Sequence, residues 1–322
     1  MKRILLLLAL LVAGFWLFVE LTWNKHYDAP YPDIQASTDP DVIARGRYLA
    51  YGPAHCAACH MPMDRLMAVE EGAMDPLSGG WELTIPPGTF RAPNITPHAT
   101  GIADRTDGEL ARALRYSVGH DGRGLLPFMP FQGLSDEDLT AVISFLRSQP
   151  PVDHALPAHE YTFLGKMVKA LGLIPPDQPK EPPPARVQRD STAAYGRYLA
   201  NFVADCVGCH TDRDMNTGAY IGTPFAGGFY MEPDTFSQGW SFVTPNLTPD
   251  PETGHIAAWD EATFIKRFKT GRLQPGSHMP WGFVSRMDTL ELKAIYRYLR
   301  SLPPTNKHIA QIVFKPGEKP AR

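Results

Sequence analysis

Residues 56–60 read Cys-Ala-Ala-Cys-His, and residues 206–210 read Cys-Val-Gly-Cys-His. C-x-x-C-H is the attachment motif of haem c, in which both cysteines form thioether bonds and the histidine binds the iron. On a helix, the three side chains of this motif share one face. Redox-active dithiols and zinc sites also use C-x-x-C, and they are the alternatives. Because both copies carry the histidine and together use every cysteine of the chain, we predict two covalently bound haem c groups, attached through Cys56, Cys59, Cys206 and Cys209.

Length and charge narrow the class of protein. The chain has 322 residues, which suits about two domains, and a formal net charge of −3 at pH 7. Nucleic-acid-binding proteins are normally basic, so nucleic acid is excluded as a partner.

The N-terminal segment is strongly apolar. Two basic residues precede an apolar run over residues 4–19, and the stretch that ends at Trp23 would span about 30 Å as a helix. No good signal-peptidase site follows the run, so we predict an uncleaved anchor over residues 1–24 that contacts membrane lipid through residues 4–23. A removed signal peptide is the alternative. The basic start predicts a single-pass protein of the bacterial inner membrane whose remaining chain lies in the periplasm.

Further repeats indicate a duplicated domain. Gly-Arg-Tyr-Leu-Ala occurs at residues 46–50 and at 196–200, and Pro-Asn-Ile-Thr-Pro at 93–97 matches Pro-Asn-Leu-Thr-Pro at 245–249. A period near 150 residues is that of a whole domain rather than of a solenoid repeat. Capped helical patterns recur in both copies and no strand pattern is clear. The prediction is an all-α protein with two tandem domains after the N-terminal transmembrane helix.

The domain boundaries follow from the repeat. Residues 25–39 are polar and proline-bearing and predict a tether, and residues 40–152 form the first copy. Residues 153–190 predict a proline-rich linker, residues 191–306 form the second copy, and residues 307–322 predict a tail that lies on the surface.

Two other patterns predict surfaces that dock on another part of the protein or on a partner. An amphipathic helix is expected within the linker, with an apolar face formed by Phe163, Leu164, Met167, Val168 and Leu171. A basic helix of the second copy is a candidate docking face, with a solvated helix face as the alternative; its residues are Lys266, Arg267, Lys269 and Arg272.

The second axial ligand of each iron follows from the spacing. Met129 lies 69 residues after His60, and Met279 lies 69 residues after His210. Both methionines precede a proline and the final helix of their copy. No histidine occurs at equivalent positions of the two copies in that segment. The other candidates are Met61, Met63, Met67, Met74, Met215, Met231, Met287, His98, His120, His255 and His278. A single methionine usually packs in the core, so a methionine alone does not indicate a ligand. The spacing shared by the two copies distinguishes Met129 and Met279 from the others, and we predict His60–Met129 and His210–Met279 as the two ligand pairs.

The attachment motifs, the Pro-Asn-Ile/Leu-Thr-Pro segment followed by Thr-Gly, and the Met-Pro ahead of a helix that ends in Leu-Arg-Ser resemble those of membrane-anchored multihaem c-type cytochromes. These include the cytochrome subunits of bacterial membrane-bound alcohol, aldehyde and gluconate dehydrogenases. The resemblance implies class I cytochrome c folds in both copies. It also implies relay of single electrons from a partner dehydrogenase, or another donor, to a respiratory acceptor such as an oxidase or a cytochrome. This chain has two haem motifs where the alcohol dehydrogenase subunits have three.

The resemblance also places polar residues of the repeated loops near the haem edge: Asn94, Thr96, Asn246 and Thr248. Hydrogen bonding to propionates or to the methionine-bearing segment is one role, and turn formation is the other. Arg47 and Arg197 either pair with a propionate or coat a helix face.

Two classes of function remain. The first is an electron carrier without a substrate site. The second is a dihaem enzyme such as a cytochrome c peroxidase, in which one haem is accessible to ligands. An enzyme should differ between its two haem environments, whereas these copies share their Cys, His and Met spacing, so we favour the carrier and predict no catalytic residues.

Overall fold

The computed structural model describes residues 1–214, 218–234 and 236–320. Its helices are α1 (Lys2–Thr22), α2 (Pro40–Tyr51), α3 (Leu66–Glu70), α4 (Asp107–Tyr116), α5 (Asp136–Ser148), α6 (Phe163–Ala170), α7 (Ala193–Tyr198), α8 (Cys206–Cys209), α9 (Glu261–Lys269), α10 (Trp281–Val284) and α11 (Thr289–Ser301). Helix α1 is long and apolar enough to cross a membrane, and its side chains are largely exposed.

Side-chain caps begin the helices where the sequence indicates. Thr106 and Glu109 form a capping box at α4, in which each side chain accepts the other's backbone N–H. Ser135 caps α5, and Asp260 and Asp288 cap α9 and α11. The capped helices therefore occupy equivalent places in the two copies.

In each copy the first helix crosses the last helix at a glycine. A Cβ atom on Gly46 of α2 would lie 1.8 Å from the carbonyl oxygen of Ala141 in α5. A Cβ atom on Gly196 of α7 would lie 1.9 Å from the carbonyl oxygen of Ala294 in α11. Only a residue without a side chain allows so close an approach, which explains the glycine of the repeated Gly-Arg-Tyr-Leu-Ala segment.

Gly46→Ala and Gly196→Ala are therefore expected to lower the free energy of unfolding by about 1–3 kcal/mol, because the added methyl group must push two helices apart. Gly108→Ala in α4 is the control, since its nearest new contact would be 3.6 Å away, at the Tyr31 side chain. That variant should be neutral or slightly stabilising because alanine favours a helix. Chemical denaturation followed by far-ultraviolet circular dichroism measures all three. Equal stability of the three variants would contradict the crossing argument.

The all-α prediction is wrong in part, because each copy contains a small antiparallel sheet. The strands are β1 (Glu82–Ile85), β2 (Gly88–Arg91), β3 (Glu160–Tyr161), β4 (Tyr230–Met231), β5 (Ser241–Val243) and β6 (Val313–Phe314), in the orders β1-β2-β3 and β4-β5-β6. Strand β3 comes from the expected linker and β6 from the expected tail. Both segments thus pack on the copies that precede them.

Residues 25–39, expected to be a tether, also pack on the first copy. Ile34 belongs to the buried core, and the backbone N–H of Ala36 donates to Asp107 Oδ2 at 2.7 Å. The ring of Tyr31 lies against α4, which it meets at Gly108. Apolar side chains between the prolines hold this segment in place. Their packing was not predicted because the segment is polar overall.

Equivalent tyrosines join the two copies. Tyr48 of the first copy accepts a hydrogen bond from the backbone N–H of Asp288 at 2.8 Å. Tyr198 of the second copy accepts one from the N–H of Ser135 at 3.0 Å. Both tyrosines come from the Gly-Arg-Tyr-Leu-Ala segments, and each reaches the first turn of the other copy's last helix. The interface is therefore approximately two-fold.

A buried ion cluster lies at the centre of this interface. Arg45 Nε is 2.9 Å from Asp138 Oδ1, and Arg45 Nη1 is 3.0 Å from Glu291 Oε1. The hydroxyl groups of Tyr198 and Tyr195 donate to Asp138 and Glu291, at 2.8 and 2.9 Å. The side chains of Asp138 and Glu291 are only 6% and 4% exposed, so one arginine pairs with two buried carboxylates.

Candidate functional site

The two C-x-x-C-H segments fold into equivalent turns. Residues Cys56–Ala58 form a 3-10 turn, and Cys206–Cys209 form the short helix α8. In both, the backbone N–H of the histidine donates to the carbonyl of the first cysteine at 2.9 Å. The same backbone hydrogen bond therefore closes both motifs, so the two copies have the same local conformation between the first cysteine and the histidine.

All four cysteines carry free thiols in partly buried surroundings. Burial raises the pKa of Cys59 to about 11 and that of the other three thiols to about 12. Over residues 1–214, 218–234 and 236–320, no group of three or more His, Cys, Asp or Glu side chains is arranged to hold a metal ion. A structural zinc site needs further Cys or His ligands around a C-x-x-C pair, so this arrangement favours haem attachment.

The histidine of each motif is oriented by a backbone carbonyl. His60 Nδ1 lies 2.9 Å from the carbonyl oxygen of Pro93, and His210 Nδ1 lies 3.2 Å from that of Pro245. Burial lowers the pKa of both imidazoles, that of His210 to about 4, which favours the neutral form of each ring. A neutral ring that donates through Nδ1 presents the lone pair of Nε2, which is the arrangement of an iron-binding histidine. The residues therefore fit haem at both motifs.

A glycine lets the carbonyl-bearing loop approach the motif. The N–H of Gly79 donates to the carbonyl of His60 at 3.0 Å. Its φ is +76°, and a Cβ atom there would lie 2.5 Å from the carbonyl carbon of Pro93. Gly227 occupies the equivalent place against Pro245, with a φ of +67° and the same 2.5 Å approach. Neither the carbonyl nor the glycine was predicted from the sequence, although the repeated Pro-Asn-x-Thr-Pro segment marks the loop.

The asparagine and threonine of each loop are engaged within the protein. Asn94 Oδ1 accepts from the N–H and the hydroxyl of Thr96, at 2.9 and 2.8 Å. Asn94 Nδ2 donates to Thr100 Oγ1 and to the carbonyl of Val152, at 3.1 and 2.8 Å. The second copy repeats these bonds with Asn246, Thr248, Thr253 and Thr305. Both amide hydrogens are used in each copy, which favours the turn-forming role over a propionate contact.

The candidate methionines differ in burial. Met129 and Met279 are partly buried and pack against the core, and Met231 is also partly buried. Met61 and Met287 are fully buried in the core, whereas Met63, Met67 and Met74 are exposed. Met215 lies outside the described residues. Burial alone does not select one methionine in each copy, so the choice of Met129 and Met279 stays a prediction that rests on their common spacing from His60 and His210.

The histidine candidates have other surroundings. His120 is exposed, and His278 lies 3.4 Å from Asp234 with its ring 5.6 Å from that of Phe242. In the first copy, Phe128 packs on Phe90 in the same way, with ring centroids 6.0 Å apart. His278 thus takes the place of an aromatic side chain just before the methionine, and it supports that segment.

Different groups hold the two methionine-bearing segments. Gln132 Nε2 donates to the carbonyl of Met129 at 2.9 Å. In the second copy, Arg272 Nη2 lies 3.4 Å from the carbonyl of Met279, and Arg272 Nε lies 3.0 Å from Glu70 Oε2 of the first copy. The second segment is therefore tied to the first copy by a charged pair, whereas the first is held by its own copy.

Residues 43–150 match the sequence model of the cytochrome c family. The chain contains a cytochrome c domain. It is 29% identical to the fructose dehydrogenase cytochrome subunit of Gluconobacter japonicus, over 85% of this chain and 55% of that protein. It is 30% identical to the gluconate 2-dehydrogenase cytochrome c subunit of Pantoea cypripedii, over 87% of this chain and 64% of that protein. It is also 28% identical to a dihaem cytochrome c-type protein of Cereibacter sphaeroides, over 83% and 90% of the two chains.

These relatives confirm the resemblance to cytochrome c subunits of dehydrogenases. The chain spans only 55% and 64% of the two dehydrogenase subunits. The family-model match covers the first copy, and the repeated hydrogen bonds at Pro93 and Pro245 show that the second copy has the same local geometry.

Three side chains of the basic helix and the residues after it contact other parts of this chain. The Arg267 guanidinium lies 3.6 Å from the Trp281 ring centroid, Lys269 donates to the carbonyl of Ser285 at 3.2 Å, and Arg272 pairs with Glu70. These side chains hold the methionine-bearing segment and the interface between the copies, whereas Lys266 is exposed, so the docking role of this helix stays a prediction. Arg197 pairs with Glu181 on the surface, which favours the helix-face role for that residue.

Proposed function

We propose that this chain is a dihaem electron-transfer subunit. It takes single electrons from a membrane-bound dehydrogenase, or another donor, and passes them to a respiratory acceptor on the periplasmic side of the bacterial inner membrane. The observation that carries the proposal is the duplicated centre: the same motif, the same histidine–carbonyl pair and a methionine at the same spacing. The cytochrome relatives of dehydrogenases support the donor class.

The residues of each centre have separate tasks. Bound haem supplies a one-electron iron couple. Cys56, Cys59, Cys206 and Cys209 would hold the porphyrin covalently, and His60 and His210 would bind iron through Nε2 while the proline carbonyls fix their rings. Met129 and Met279 would each supply the second protein ligand of one iron and exclude water and exogenous ligands. Ligand sets that are closed in both oxidation states suit electron transfer and leave no open position for a substrate.

Helix α1 supports the membrane location. Its exposed apolar surface suits an anchor, and Trp23 at its end suits the membrane–water interface. A removed signal peptide would leave the same periplasmic domains without this attachment. An anchored carrier would diffuse only along the membrane surface, where the proposed donor and acceptor are found.

The full chain is expected to carry two haem c groups, to be low-spin at both, and to bind no carbon monoxide at neutral pH. Haem quantification, intact mass and the optical spectrum of the reduced protein measure this. In the Cys206→Ala/Cys209→Ala variant, one haem should remain. Carbon monoxide binding to either haem, or turnover of peroxide, would contradict the carrier and favour a peroxidase-like enzyme.

A further inference from the structure

Helix α6 has one face on the protein and one in solvent. On the docked side, a Cβ atom on Gly165 would lie 2.0 Å from the carbonyl oxygen of Pro87, and Lys169 is buried. Phe163, Leu164 and the following Leu171 are 42%, 43% and 47% exposed. At 100° per residue these three positions fall on one side of the helix, together with Met167. The exposed side is therefore a continuous apolar stripe.

The helix lies at the end of the proposed membrane anchor. Lys166 Nζ pairs with Glu20 Oε2 of α1 at 2.6 Å and lies 5.5 Å from the Trp23 ring centroid. The Trp23 ring packs on Tyr161, with centroids 5.2 Å apart, just before α6 begins. A tryptophan that ends an anchor lies at headgroup depth, so the helix packed against it lies at the same depth.

We propose that the apolar stripe of α6 lies in the lipid headgroup region, as a second membrane contact beside α1. The inference rests on the proposed anchor. Apolar side chains in the last turns of α1, such as Leu17 and Leu21, are exposed as well, and the pair of Lys166 with Glu20 joins the two helices, so one lipid surface would meet both. Amphipathic helices of this kind bury their apolar face in the membrane interface while cationic side chains stay at its polar edge, as Lys166 does here.

This contact would fix the orientation of the first cytochrome domain. Lys169 Nζ lies 3.5 Å from the carbonyl of Gly124, and the N–H of Tyr27 donates to the carbonyl of Gly122 at 2.8 Å. Both acceptors belong to the segment that leads to Met129. With α1 alone, the domain could turn about a single axis; with α6 in the interface as well, one side of the domain faces the membrane.

The test uses the full chain with both haems, one copy per lipid nanodisc, and single cysteine substitutions. Leu171→Cys probes the stripe, Leu273→Cys is an exposed control on the second copy, and Leu11→Cys reports on the anchor. A charged maleimide and peptide-level mass spectrometry give the labelling rate at each site. Because the reagent needs water and the thiolate, Leu171→Cys should react at least about tenfold more slowly than Leu273→Cys.

Three results would overturn the proposal, and each has a different cause. Equal rates at Leu171→Cys and Leu273→Cys, with Leu11→Cys protected, would overturn the lipid contact while the anchor stands. Labelling at Leu11→Cys would overturn the anchor and the inference together. Protection of Leu171→Cys in native membranes but not in nanodiscs would identify a protein partner as the occupant and would also overturn the proposal.

Discussion

Replacing Met129 or Met279 by alanine is expected to lower the reduction potential of one haem and to remove its share of the methionine–iron charge-transfer band. A thioether ligand favours ferrous iron, so its loss stabilises the ferric state. The shift should be a sizeable part of the roughly 0.8 V that axial ligands span. Potentiometric titration resolves the two haems, and the ferric absorption spectrum reports the band.

The design separates the two centres. Each single variant should lose about half of the band, and the double variant should lose all of it, because each methionine serves one iron. Met67→Ala is the matched control, since Met67 is exposed, and His120→Ala and His278→Ala should also leave the band intact. Full retention of the band in either methionine variant would refute that ligand assignment.

Most residues of the candidate site could be predicted from the spacing of cysteine, histidine and methionine in the sequence. The two C-x-x-C-H motifs identify the attachment residues, and the common distance from His60 to Met129 and from His210 to Met279 selects one methionine in each copy. Duplication makes such inferences possible because unrelated methionines do not share a distance. The ligand assignments themselves stay predictions, and the variants above test them.

The carbonyl partners were not predictable from residue type. Pro93 and Pro245 act through their backbone, so their role depends on how the chain turns rather than on a side chain. The short strands were not predicted from the sequence, for a related reason. Strands of two to four residues are too short for an alternating pattern, and β3 and β6 pair with residues far away in the chain.

The contacts between the two copies could not be predicted from the repeat alone. Arg45 and Tyr195 occupy equivalent positions in the alignment of the copies, as do Asp138 and Glu291. A strictly symmetric duplication would place identical residues at the centre. Here one copy supplies an arginine and the other a tyrosine, so a single cation lies between two buried carboxylates.

Arg45→Met should therefore lower the free energy of unfolding by about 3–5 kcal/mol, because it leaves two buried carboxylates without their cation. The control is Arg65→Met: Arg65 pairs with Asp75 at the surface, 46% and 37% exposed, and its loss should cost at most about 1 kcal/mol. Denaturant titration of the full chain in detergent compares the two, with the Soret band and far-ultraviolet circular dichroism as separate probes.

A compensated variant distinguishes charge from packing. In Arg45→Met/Asp138→Asn/Glu291→Gln, no uncompensated charge is buried, so most of the lost stability should return. If it does not, the arginine acts mainly through its hydrogen bonds and its packing. If Arg45→Met alone unfolds at the same denaturant concentration as the unaltered chain, the cluster does not hold the copies together. The copies would then be joined by their other contacts, which include Tyr48, Tyr198, the pair of Glu70 with Arg272 and the hydrogen bonds from Arg286 to the carbonyl groups of Tyr51 and Glu70.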